Sequence, residues 1–300
     1  MAVDRTVSLV LGSGGARGLA HIGVIEWLEA AGFRIVSIAG SSMGALVGGI
    51  YAAGKLDVYR DWVLELERID VLRLLDFSFG RNGLIKGDRV IGVLRELVGE
   101  RAIEDLPISF TAVATDLDAQ REVWLNRGPL FDAIRASIAI PTVFTPVSWQ
   151  GHTLVDGGLV NPMPIAPTLR DKSALTIAVN VSAKDELSFV RAERRVDRTA
   201  HSAERHDRIA EFLETLQQIV SGDTRDEDEE ARSMHLFDVI ARSMDTMQST
   251  IARFQLAAYS PDAIVQVPSN ACAFFEFWRA RELIDIGHER AEAALRLLVR

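Results

Sequence analysis

The stretch Ile35-Val36-Ser37-Ile38-Ala39-Gly40-Ser41-Ser42-Met43-Gly44-Ala45-Leu46-Val47-Gly48-Gly49-Ile50-Tyr51-Ala52-Ala53 decides the fold. An apolar run reads as a buried strand, a G-x-S-x-G pentapeptide as a sharp turn, and a small-residue apolar run as a helix. A strand that turns at once into a helix over a serine is a nucleophile elbow. The turn is so tight that the residues two before and two after the serine must lack bulk. Only Ser42 has glycine at both offsets, so Ser42 is the candidate nucleophile, and Ser41 is read as a neighbour that hydrogen-bonds locally. The start of the helix places its positive dipole end beside a developing alkoxide.

Upstream, residues 7–11 form another short apolar run, followed by Gly12-Ser13-Gly14-Gly15-Ala16-Arg17-Gly18 and a helix expected over 19–31. Strand, glycine loop, helix, strand, elbow, helix is a βαβα order, which calls for an α/β layered fold with a largely parallel sheet. Neighbouring strand ends in such a sheet open into one crevice, so the glycine loop and Ser42 should meet. Three anions could use the loop. A P-loop phosphate needs Gly-Lys-Ser/Thr, which is absent. A dinucleotide wants an acidic residue at the end of the second strand, which instead ends Ala39-Gly40-Ser41. The oxyanion of an acyl-transfer intermediate fits, held by backbone N–H groups converging from the loop. Arg17 has two readings, compensating negative charge near the site or fixing the loop through a carbonyl or a salt bridge.

A serine nucleophile needs a base. The histidines are His21, His152, His201, His206, His235 and His288. His21 reads as packed core, His201 and His206 fall in a charged stretch, His152 in a turn, and His235 and His288 at helix starts. A Ser-His-Asp arrangement through His152 or His288 is the weaker reading. Asp156, in Val155-Asp156-Gly157-Gly158, ends an apolar run and enters a glycine turn. A carboxylate serves as base when it is close to the hydroxyl and desolvated. An ordinary Asp-Gly turn is the competing account, and Asp116 and Asp118 are rival carboxylates without a glycine frame.

The 300 residues are 48% hydrophobic and 25% charged, enough for a large core. A net charge of -9 and a pI near 5.3 argue against a nucleic-acid partner and against general attraction to anionic lipid. One cysteine, Cys272, allows no internal disulfide and reads as a buried small hydrophobe. No signal-peptide pattern and no spanning apolar run is seen, so the expectation is a cytoplasmic protein, with peripheral contact at the inner membrane left open. Further strands are expected at 109–114, 122–125, 153–155, 175–181 and 264–267, and helices at 88–98, 130–136, 235–257 and 288–299. Residues 184–232 are crowded with charge and read as a solvated helical or mobile insertion. The organisation expected is one domain over 1–300, with a core at about 7–181 completed by 235–300. Residues 71–80, with Phe77 and Phe79, read as core packing or as a hydrophobic cap near the site.

Taken together, the glycine loop, the elbow, Ala136-Ser137-Ile138-Ala139-Ile140-Pro141 and Asp156-Gly157-Gly158 resemble patatin-like phospholipases, in the branch similar to neuropathy target esterase. The match is good over residues 7–181 and weaker beyond. It implies a three-layer α/β/α fold around a mostly parallel sheet. It implies a Ser-Asp dyad of Ser42 and Asp156, and an oxyanion hole around Gly14, Gly15 and Ala16 with Arg17 beside it. It also implies hydrolysis of lipid acyl esters of the phospholipase, lysophospholipase or esterase type, without calcium or an organic cofactor. Ser13 stands where many relatives have a third glycine, tolerable unless that residue needs a positive φ. Ala136 to Pro141 shapes a wall and is given no chemistry. Two alternatives stay open, an acyltransferase with a similar core and a non-catalytic interaction protein.

Overall fold

The computed structural model describes residues 5–74, 87–184 and 227–298. Its strands are β1 (Thr6–Leu11), β2 (Arg34–Ser41), β3 (Ser109–Asp116), β4 (Arg121–Leu125), β5 (Val147–Trp149), β6 (His152–Asp156), β7 (Leu175–Ala183) and β8 (Ala263–Pro268). They form one sheet in the order β5-β6-β3-β2-β1-β7-β8, with β4 also paired to β3. The β3-β2-β1-β7-β8 part is parallel, and β4, β5 and β6 add antiparallel pairings.

Helices are α1 (Ala20–Ala30), α2 (Met43–Ala52), α3 (Leu56–Glu65), α4 (Arg68–Leu74), α5 (Asp88–Val98), α6 (Leu130–Ser137), α7 (Glu227–Tyr259) and α8 (Ala280–Leu295). Central strands read as continuous apolar runs because both faces of the sheet are covered. Along β1, Val7, Leu9 and Leu11 point into the main core, which holds residues of α1, α2, α6 and α8. Val10 points the other way, packing with Ala178 of β7, Met163, Ile165 and Ala252 of α7. Helices on both faces of a mostly parallel sheet make the three layers that the sequence led us to expect.

The edge of β3 explains how the site is assembled. Ala112 and Val113 pair with β2 on one side and β4 on the other, while Ala114, Thr115 and Asp116 pair with β4 and β6. A strand has two edges, so β6 must take over the edge that β2 vacates. It does so because β2 ends at Ser41 (opposite Val113) and the chain turns away at the elbow. Asp156 is the last residue of β6 and sits opposite Ala114. The ends of β2 and β6 therefore face each other across one residue step of β3.

Some expectations shift. The last helix begins at Ala280, not at His288, and runs through Gly287. Gly287 and Gly23 are contact points between helices: a Cβ on Gly287 would overlap the Ala20 carbonyl, and one on Gly23 the Ile284 carbonyl. His235 likewise lies inside α7 and does not open it. Strand β5 and helices α3 and α4 were not anticipated. The charged stretch falls largely at 185–226, outside the described residues, as do His201, His206 and residues 75–80 of the expected cap; Val71 to Leu74 belong to α4.

Candidate active site

Ser42 is buried at the junction of β2 and α2 with φ 55° and ψ -124°. A positive φ is costly for any residue with a Cβ and marks a backbone held in place by its surroundings. Gly40 and Gly44 permit the turn, since a Cβ on Gly40 would overlap the Gly44 backbone and one on Gly44 the Leu11 carbonyl. Ser41 does not behave as expected. Its hydroxyl is buried and has no hydrogen-bond partner among the described residues.

The Ser42 hydroxyl donates to Asp156 Oδ2 at 2.6 Å. Asp156 is 1% exposed, and its other carboxylate oxygen accepts the Gly158 N–H at 2.7 Å. Burial pushes its pKa up to about 7, against the hydrogen bonds from Ser42 and Gly158, which pull it down. The group can therefore hold or release a proton near neutral pH, the range in which a general base works best.

The histidines lie elsewhere. Buried His21 hydrogen-bonds the Gly12 carbonyl through Nε2 at 2.9 Å, and burial lowers its pKa to about 4, so it is neutral and donates there. His152 Nδ1 lies 3.0 Å from Asp116 Oδ2. Asp116 in turn accepts the Ala119 and Asp118 amides, which fixes the β3–β4 turn and, with His152, holds its carboxyl below the usual range. Asp118 accepts the Thr153 N–H. These two carboxylates are committed to the turn, and His288 lies within α8. Asp116, Asp118 and His152 bring ligand-type atoms within 4.8 Å of one another, yet their hydrogen bonds account for the grouping.

The glycine loop lies beside Ser42, and both line a cleft that is partly open to solvent. Ser13 and Gly14 contribute from the loop, Ile140 to Val143 from the segment after α6, and Met244, Asp245 and Gln248 from α7. Of the expected oxyanion set, Ala16 is otherwise engaged, and Arg17 takes the loop-fixing one of its two readings. Ala16 gives its N–H to the Phe274 carbonyl at 2.8 Å, so that amide is occupied. Arg17 is buried and its guanidinium is spent on the fold, bonding the Gly14 and Ser269 carbonyls and forming a two-armed pair with Asp245 at 2.6 and 3.3 Å. Gly14 and Gly15 remain: their N–H groups make no backbone hydrogen bond among the described residues. Ser13 fits at the third-glycine position because it lacks a positive φ and its hydroxyl bonds Gln248 at 3.2 Å.

A patatin-like phospholipase family model matches residues 9–169, which contain the loop, the elbow and Asp156. The chain belongs to the patatin-like phospholipase family. It is 41% identical to an uncharacterized NTE family protein of Mycobacterium tuberculosis, over 96% of this chain and 91% of the relative. It is also 32% identical to human patatin-like phospholipase domain-containing protein 6, over 61% of this chain but 14% of that protein. Among solved structures, VipD from Legionella pneumophila aligns with 97% of this chain and 67% of its own at a TM-score of 0.40 and 13% identity. The patatin-like match thus covers the loop, the elbow and Asp156, while the cleft residues Met244, Asp245, Gln248, Phe274 and Phe275 lie beyond it.

Proposed function

We propose that this patatin-like chain is a serine acyl hydrolase of lipid esters, working through Ser42 and Asp156. The observation that carries the reading is the 2.6 Å hydrogen bond from a strained, buried serine to a carboxylate whose pKa burial raises to about 7. Asp156 accepts the Ser42 proton as the hydroxyl attacks the acyl carbonyl. The Gly14 and Gly15 amides, with the start of α2 behind Ser42, receive the negative charge on the tetrahedral oxygen. Asp156 returns the proton to the departing alcohol or lysolipid, then deprotonates a water that frees the fatty acid. No step calls for a metal or an organic cofactor.

Apolar walls suit an acyl chain: Ile140, Pro141, Val143, Met244, Phe274 and Phe275 line the cleft. No helix among the described residues is long and apolar enough to cross a membrane. The test is a panel of phospholipids, lysophospholipids and neutral glycerides incubated with the wild type and with Ser42→Ala, the products identified by mass spectrometry. The reading expects free fatty acid from the wild type and none above background from Ser42→Ala. Equal release by both proteins contradicts it, and transfer of the acyl group to an added alcohol in preference to water would favour an acyltransferase.

A further inference from the structure

We infer that Ser137 is a positioning residue, and that Ala136 to Pro141 is the spacer that sets the distance between Ser42 and Asp156; this rests on the Ser42–Asp156 reading above. Three hydrogen bonds carry it. Ser42 donates its N–H to Ser137 Oγ at 3.0 Å. Ser137 Oγ donates in turn to the Val113 carbonyl at 2.6 Å. Two residues further on, the Ala139 carbonyl accepts the Asp156 N–H at 2.9 Å. One short segment, leaving the end of α6, thus grips the backbone of both reacting residues.

The grip answers a need that the strands leave open. Strands β2 and β6 both end on the same edge of β3, at Val113 and Ala114, and neither is hydrogen-bonded to the other. β3 sets the register of the two strand ends, and Thr115 Oγ1 donates to the Asp156 carbonyl at 2.9 Å, but no strand pairing runs directly between β2 and β6. Ser137 is fully buried and bridges Val113, which pairs with the last residue of β2, to the elbow beyond it. A hydroxyl is the group required, because a single atom must accept from one amide and donate to one carbonyl. The bond also holds Ser42 at its positive φ and takes up the Ser42 N–H, leaving the oxyanion to the glycine loop. Proline then ends the spacer: Pro141 follows Ile140, whose carbonyl accepts the Val143 and Phe144 amides, turning the chain into the cleft wall.

Ser137→Ala, Ser137→Thr and a control, Ile284→Val in the distant helix α8, would be compared for melting temperature, kcat and KM on a soluble ester. Loosening the spacer by a fraction of an ångström should lower kcat in Ser137→Ala by about 10- to 100-fold with KM nearly unchanged. Ser137→Thr, which restores the hydroxyl, should recover most of the loss, and Ile284→Val should keep the wild-type kcat even where its melting temperature falls. Should Ser137→Ala not fold, Ser137→Cys, with a poorer acceptor of similar shape, makes the same comparison. A kcat in Ser137→Ala equal to that of the control, or a loss confined to KM, overturns the inference. The dyad reading fails separately, through wild-type activity in Ser42→Ala or Asp156→Asn.

Discussion

Asp156 is a carboxyl group kept from water, and that has a consequence for stability as well as for chemistry. Its folded pKa of about 7 lies above its ordinary value, so the folded state holds the proton more tightly than the unfolded chain between about 4 and 7. The sign follows. The native state is favoured most below that window, and stability falls as the pH rises through it, because a buried charge must then be tolerated. Asp156→Asn removes the ionisation. It should abolish ester hydrolysis while melting higher than the wild type at pH 8, with the difference shrinking toward pH 4; a thermal scan at both pH values checks this. At this scale the flanking glycines singled out Ser42, while the glycine turn at Asp156 left an ordinary Asp-Gly turn equally open; the structure puts the two side chains in hydrogen-bond contact. The sequence was not legible at Ala16, and at Arg17 it left two readings open. Whether an amide or a guanidinium is free depends on partners such as Phe274, Ser269 and Asp245, which are distant in the chain.

At the scale of elements, most of the strands were located, because β1 and β7 are buried on both faces and read as largely apolar runs. Helix α8 was harder: it was expected to begin at His288, just after Gly287. Only its neighbour explains it: α1 and α8 approach so closely that glycine is needed on both, at Gly23 and Gly287. Gly287→Ala should therefore destabilise the protein by about 3 kcal/mol, the upper range for an overpacked contact. Gly92 makes the contrast. It sits inside α5 with none of the described residues near a built Cβ, so Gly92→Ala should stabilise by about 1 kcal/mol. Chemical denaturation of the two variants measures both, and equal effects would refute this account of α8. The three-residue strand β5 offered too short a pattern to be read from sequence.

For the whole molecule, the long helix α7 joins the far end of the chain to the reactive centre. Asp245 pairs with Arg17, Gln248 bonds Ser13, and Gly158 is so closely packed that a Cβ there would lie within 2.9 Å of Ser13 Oγ, Gln248 Nε2 and Asp156 Oδ1. The glycine loop, the Asp156 turn and α7 thus share one contact. Asp245→Asn leaves the Arg17 charge buried with two carbonyl partners. It should cost roughly 1–3 kcal/mol, less than a fully buried pair because Asp245 is itself partly exposed. It should also weaken ester turnover by letting the Gly14 carbonyl, and with it the loop, shift; full turnover with lowered stability would separate the loop from the chemistry. This link was invisible in the sequence, where helix periodicity showed α7 but not which face of the sheet it would cover.

The central claim is that a carboxylate activates Ser42, and the most direct measurement is the rate at which a fluorophosphonate probe labels that serine. Labelling should be read by mass spectrometry across pH 5–9 in the wild type and in Asp156→Asn. The account predicts a wild-type rate that climbs as Asp156 loses its proton near pH 7, and a rate in Asp156→Asn lower by about 1,000-fold or more without that climb. Equal labelling of Ser42 in the two proteins at every pH would contradict it.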